Sequence, residues 1–174
     1  MKPTRLFPRA LPAALILAAM SCGDPTATQV GAPGTPQGDL NLWQPLAGLL
    51  QCSALPADSV SETIGPDGGT LYVGPHTLSV PPGALVEPVT ITAVAPSDSV
   101  NRIQFQPAGL TFSQPASLTM SYANCRAFGR WWPRRVAYTS DALQILEYIP
   151  SVDDWFSQEV TSQVEHFSTY AVAW

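Results

Sequence analysis

Residues Ile64–Leu85 read IGPDGGTLYVGPHTLSVPPGAL, and the punctuation of this stretch decides the fold. Three short apolar pieces stand out: Leu71-Tyr72-Val73, Leu78-Ser79-Val80 and the approach to Leu85. Between Ile64 and the first of them lies Gly65-Pro66-Asp67-Gly68-Gly69, where proline presets one φ and glycines are free to take φ > 0, so the chain reverses. Gly74-Pro75 repeats the device. Pro81-Pro82-Gly83 then stops ladder pairing, because neither proline has an N–H to donate. The pieces are too short for a helix of normal length. They predict a β-meander entry to an all-β domain.

Working outward, strand follows strand. Val60–Ile64 leads into the opening stretch, and Val89–Val94 (VTITAV) follows it with alternating β-branched residues. Ile103–Gln106 alternates again and ends at Pro107-Ala108-Gly109. Leu110–Phe112 and Ala116–Tyr122 come next, split by Pro115. Val136–Thr139, Leu143–Ile149, Phe156–Val160 and Ser168–Trp174 complete the set. Short strands at this spacing predict an antiparallel β-sandwich over residues 59–174. Charged residues make up 12% of the chain, well below the roughly 25% usual for soluble domains. That suits a small β-rich domain coated with Ser and Thr.

Several of these pieces resemble one family. Gly68-Gly69-Thr70-Leu71, the run Leu78–Leu85 with its Pro-Pro-Gly-Ala-Leu corner, and Val89-Thr90-Ile91 are similar to the ZU5 domain. Pro107-x-Gly109-Leu110-x-Phe112-x-x-Pro115 and the closing His166-Phe167-Ser168-x-Tyr170 fit the same pattern. The resemblance covers Ser59–Trp174 and implies a β-sandwich. In ankyrins, netrin receptors and tight-junction scaffolds such domains are interaction modules and not metabolic enzymes. The UPA and death domains that usually accompany them are not in this sequence, so what carries over is architecture and not intracellular scaffolding.

The amino terminus reads as an export signal. Lys2, Arg5 and Arg9 form a cationic region, and Leu11–Met20 is an apolar run too short to span a bilayer. Ala19-Met20-Ser21-Cys22 resembles the bacterial lipobox, which makes residues 1–21 a lipoprotein signal peptide and Cys22 the acylated mature N-terminus. Acyl chains add about 0.8 kcal/mol per buried CH₂, so a multiply acylated (palmitate-type) anchor holds firmly to a membrane. Gly23, in place of Asp after the cysteine, favours the outer membrane by the sorting rule of some Gram-negative bacteria. Removing the leader leaves five Arg and no Lys against thirteen acids, a net charge of −8. That balance repels nucleic acid. Residues 22–38 (CGDPTATQVGAPGTPQG) have little to bury and read as a disordered tether.

Residues 39–58 form a linker in which Leu40, Leu42, Trp43, Leu46, Leu49 and Leu50 recur at helix-like spacing, predicting a short amphipathic helical segment after Pro45. It packs on the domain, or else binds a membrane surface or partner. With Cys22 assigned to lipid, Cys52 and Cys125 are an even pair in an oxidising compartment and predict a disulfide. Such a bridge, closing a loop of roughly 70 residues, contributes about 4 kcal/mol in the chain-entropy model.

Four places invite chemistry. At His166-Phe167-Ser168 the resemblance to those ZU5 domains that cleave themselves adds an alternative: Ser168 Oγ attacks the Phe167 carbonyl with His166 as base. On a strand, residues two apart share a face at about 6.5 Å. The expected reading is a sandwich corner fixed by side-chain hydrogen bonds of His166 and Tyr170. Cys125–Arg135 (CRAFGRWWPRR) gathers Arg126, Arg130, Arg134 and Arg135 around Phe128, Trp131 and Trp132. Guanidinium forks suit anionic groups and indoles suit sugar faces, so this loop predicts recognition of a glycan, an anionic surface or an acidic envelope protein. The plainer reading is a loop capping the sandwich end, its indoles buried and its arginines paired with acids of this chain. No metal site or cofactor is expected: His76 and His166 are the only histidines, and neither Asp67 nor Asp153-Asp154 has the oxygen spacing of a calcium loop. No nucleophile elbow or phosphate-cradling loop occurs. The expectation is therefore a membrane-anchored envelope lipoprotein whose domain binds or supports without catalysing.

Overall fold

A computed structural model of the chain describes residues 48–126 and 132–174. The expected signal peptide, Cys22, the expected tether and residues 39–47 lie outside the described residues, as do Phe128, Arg130 and Trp131. Eleven strands form: β1 (Asp58–Ile64), β2 (Gly69–Val73), β3 (His76–Val80), β4 (Val89–Ala95), β5 (Arg102–Gln106), β6 (Thr111–Ser121), β7 (Arg135–Thr139), β8 (Ile145–Ile149), β9 (Ser151–Asp154), β10 (Glu159–His166) and β11 (Thr169–Ala173). They make two antiparallel sheets, β1-β4-β5-β11-β7-β8 and β2-β3-β6-β10-β9. The fold is the β-sandwich expected, and no helix occurs among the described residues.

Period-2 alternation builds the core. Ile91, Ala93, Ile103, Phe105, Tyr170 and Val172 face inward from one sheet, while Leu71, Leu78, Leu118, Met120, Val160 and Val164 face them from the other. The outward partners are hydroxyl residues. Ser61 pairs Thr92 at 2.7 Å, Thr63 pairs Thr90 at 3.0 Å and Thr119 pairs Thr161 at 2.9 Å.

Several elements depart from the sequence expectation. The third apolar piece of the opening stretch is not a strand: Ala84 and Leu85 are buried side chains of a corner, after which the chain crosses from β3 to β4 in the opposite sheet. Pro115 does not split β6. It falls where the β6–β10 register shifts between Ala116↔Val164 and Thr111↔His166, so no ladder bond is demanded of it. The strand expected over Phe156–Val160 is instead a turn at residues 155–158 followed by β10. There the Asp154 carboxylate accepts the Phe156 N–H at 3.0 Å, and Gln158 takes φ +57°. These override the strand propensity of the aromatics.

Residues 48–50, read as part of an amphipathic helix, run alongside the end of β11. Leu50 N–H donates to Val172 O at 3.0 Å and Trp174 N–H to Gly48 O at 2.9 Å. The adjacent leucines part accordingly. Leu50 enters the main core and Leu49 a second cluster with Val100, Ala137, Ala171 and Ala173. Opposite faces for neighbouring residues is the strand period. Gly48, at φ +96°, leaves its space to Tyr148, whose Oη lies 2.5 Å from where a Cβ would sit.

The sandwich thus has two unlike ends. At one, the turn motifs read from the sequence bond to one another. Gly83 N–H donates to Pro66 O at 2.8 Å, Ser113 N–H to Ala84 O at 2.9 Å, Gly109 N–H to Phe167 O at 3.1 Å and Phe167 N–H to Leu110 O at 2.8 Å. The cis Gln106–Pro107 peptide lies in the same cluster of turns. At the other end the chain enters at Gly48, and here the strand ends Ser121, Arg135, Asp154 and Ala173 come together.

Candidate functional site

The entry end is assembled by hydrogen bonds between segments remote in sequence. Cys52 and Cys125 form the expected disulfide, across a separation of 73 residues and an antiparallel bridge. Around it Cys52 N–H donates to Ser99 O at 2.8 Å, Ser53 N–H to Asn124 O at 2.9 Å and Arg126 N–H to Gln51 O at 2.8 Å. Asn101 and Asn124 exchange side-chain amide bonds at 2.6 and 3.0 Å. Asn101 Nδ2 also reaches Ser121 O at 2.8 Å, and Asn124 Nδ2 reaches Ser53 O at 2.6 Å. This network holds the entering chain to both sheets. Sequence reasoning paired the cysteines but had no signal for the asparagines.

Asp153 organises the neighbouring surface. Its carboxylate accepts the Tyr122 hydroxyl at 2.6 Å and the Arg134 N–H at 2.8 Å. Burial, reinforced by that carboxylate, pushes the Tyr122 phenol above its ordinary range. Arg134 is only 6% exposed. Its guanidinium lies 5.8 Å from the Tyr122 ring centre and 5.4 Å from that of Trp174, and it donates to Trp132 O. Arg134, expected to recognise a ligand, is therefore a packing residue whose charge is stacked between aromatics. Arg135 is exposed and stacks over Tyr148 at 5.7 Å. Arg126 is exposed as well.

The aromatic residues at this end divide differently from the sequence reading. Trp132 is 68% exposed. Two others lie outside the Arg/Trp loop: Trp155, 68% exposed, and Phe156, 80% exposed, at the tip of the β9–β10 hairpin. Their rings lie against each other, tilted by 33°, with centroids 4.0 Å apart. The tip is fixed from below by Asp154. The Ser157 hydroxyl and the N–H groups of Ser157 and Phe156 hold its carboxyl below the usual range. Tyr122 N–H donates to Gln158 O at 2.8 Å, tying the hairpin to β6. The missed signal was Asp-Trp-Phe-Ser itself, an Asx-type turn carrying two large rings.

The other candidates sit elsewhere. His166-Phe167-Ser168 is the crossing between β10 and β11, not one strand, so the alternation argument for His166 and Ser168 does not apply. Phe167 is buried, stacked on Phe105 at 5.1 Å and edge-on to Phe112 at 5.0 Å. The Tyr170 hydroxyl donates to His166 O at 2.6 Å, forming the corner expected of Tyr170. The His166 ring packs edge-on against Tyr138 at 5.3 Å. His76 is buried, and its Nδ1 accepts the Ser121 N–H at 3.1 Å. Desolvation lowers its pKa to about 4, so the imidazole is neutral. Among the described residues no three His, Cys, Asp or Glu side chains gather as a metal site. The depression beside His76, Asn101 and Arg102 has a volume of about 20 Å³, room for one water.

No protein-family model matches the chain, and no curated protein is significantly similar to it.

Proposed function

We propose that this chain is a lipid-anchored protein of the bacterial envelope, held at the outer membrane through Cys22, whose ZU5-like sandwich is a non-catalytic binding or structural module. The observation that carries the binding role is the entry end. Remote segments are locked there by a disulfide, an asparagine pair and the Asp153 carboxylate. The result is a rigid base under three exposed aromatic side chains, Trp132, Trp155 and Phe156. Rigid aromatics on a fixed scaffold are what recognition surfaces are made of. The anchor rests on the leader and the Ala19–Cys22 motif. Palmitate labelling in the native host tests it. The wild-type chain takes label and sediments with membranes, and Cys22→Ser abolishes both; label retained by Cys22→Ser overturns the anchor. A pull-down from envelope extracts, repeated with the Trp132→Ser chain, tests the binding role.

One observation favours a second reading, self-cleavage between Phe167 and Ser168. The Phe167 carbonyl already accepts the Gly109 N–H at 3.1 Å, a donor placed as an oxyanion would need. Intact mass after denaturation decides this. A nicked wild-type chain and an intact Ser168→Ala chain establish it; an uncut wild type ends it.

A further inference from the structure

We infer that the Trp155–Phe156 hairpin tip inserts into the interfacial layer of a zwitterionic phospholipid bilayer, giving the protein a second membrane contact. The inference rests on the lipid-anchored reading above. It begins with a juxtaposition: the tip and the point of chain entry are at the same end of the sandwich. Glu159, which starts β10, pairs with Ser121 at the end of β6. Ser121 O binds Asn101, whose partner Asn124 binds Ser53, so the hairpin turn and the incoming chain are neighbours. Trp132 follows the same logic. Ser151 Oγ binds Val136 N–H at 2.9 Å and Asp153 binds Arg134 N–H, and Trp132 and Trp155 lie two residues further out along these same two segments.

Gly48 lies 26 residues beyond Cys22, so even fully extended the intervening chain reaches no more than about 90 Å at about 3.5 Å per residue. On the anchored reading the domain's attachment point is therefore at the entry end and within that reach of the lipid.

The chemistry of the tip selects the occupant. The two rings are exposed at the tip of a hairpin turn, and the depression beside His76 is lined by no residue of that turn. The shape is one that enters another medium, unlike a platform that receives a sugar. Trp and Phe settle where an apolar body meets a wet boundary. The acids Asp154 and Glu159 flank the rings, while Arg126 and Arg135 are exposed at the same end. Mixed charge disfavours a strongly anionic surface and suits headgroups carrying both phosphate and ammonium.

The test uses the mature chain from residue 22 carrying Cys22→Ser, so that no acyl chain contributes, mixed with vesicles of equal phosphatidylcholine and phosphatidylethanolamine. The protein is expected to co-float with the vesicles and to show blue-shifted, bromolipid-quenched tryptophan emission. Trp155→Ser and Phe156→Ser are each expected to weaken partitioning on the order of tenfold, with thermal unfolding unchanged because both side chains are exposed. Quenching in the unsubstituted tip reports insertion even if a variant folds poorly. Absence of flotation and quenching, or partitioning indifferent to both substitutions, overturns the inference, as does emission that responds to envelope glycans and not to vesicles. Palmitate labelling of the wild type reads the anchor separately: vesicle binding without label leaves the tip contact standing and removes the anchor, and label without vesicle binding does the reverse.

Discussion

Gly68 has φ +75°, and a methyl group placed on it would lie 2.8 Å from the Pro81 carbonyl carbon and 2.9 Å from Pro82 N, besides meeting Val80 O. The glycine that reverses the chain is thus also where the first turn presses on the Pro-Pro-Gly corner. Gly68→Ala carries both a left-handed backbone penalty and a clash with backbone that has no rotamer to yield. It should cost about 2–4 kcal/mol, read as a lower urea midpoint with unchanged slope. His76 makes a second prediction at this scale. Its folded pKa of about 4 lies below the unfolded value of about 6.5. Above pH 6.5 both states hold it neutral, and stability is full. Between 6.5 and 4 only the unfolded chain takes up the proton, so stability falls as pH falls, by roughly 3 kcal/mol over the window. The Asp98–Arg102 ion pair at 3.0 Å borders the same depression, so wild type must be compared with His76→Asn, which keeps an acceptor for Ser121 N–H. The variant's urea midpoint should change less between pH 7 and 4.5; an identical change removes His76 from the acid response.

At the scale of elements, the disulfide is the clearest lever. It clamps the entering chain to the loop after β6, and Leu49 and Leu50 dock just before it. Replacing both cysteines with alanine should lower stability by about 3–4 kcal/mol, with the Asn101–Asn124 exchange leaving the fold recognisable by circular dichroism. Reducing agent should shift the wild-type midpoint and leave the variant's unmoved. Elements were legible in the sequence where a few adjacent residues sufficed to set them. The alternation VTITAV made β4 readable, and Pro-Pro-Gly marked the end of β3. What stayed hidden depended on partners remote along the chain. Leu49 and Leu50 carry a helix-like spacing, yet pairing with Val172 and Ala173 decides their conformation. The strand β10, EVTSQVEH, alternates Val160, Ser162 and Val164 inward, but two large rings just before it drew the strand assignment toward Phe156. Arg134 looked like a ligand-binding cation because sequence cannot show that Tyr122 and Trp174 flank it.

For the molecule as a whole, the division between its ends has a mechanical consequence. Every motif that made the sequence resemble a family is at the end where backbone groups of separate turns bond to one another, and Phe167 plugs the space between the sheets there among Phe105 and Phe112. Those residues hold the two sheets together. The exposed rings at the opposite end bury little and hold nothing. Substitutions at the two ends should therefore separate stability from binding. Phe167→Ala removes a side chain 1% exposed and leaves a cavity that rigid turns cannot close, so it should cost about 3–5 kcal/mol. Because both sheets share this one cluster, the loss should appear as a single transition, with tryptophan fluorescence and far-ultraviolet dichroism coinciding. Trp132→Ser, at 68% exposure, should stay within about 0.5 kcal/mol of wild type while weakening whatever contact the entry end makes. Two separated transitions in Phe167→Ala would mean that each sheet has its own core, and a large stability loss in Trp132→Ser would place that ring in the scaffold.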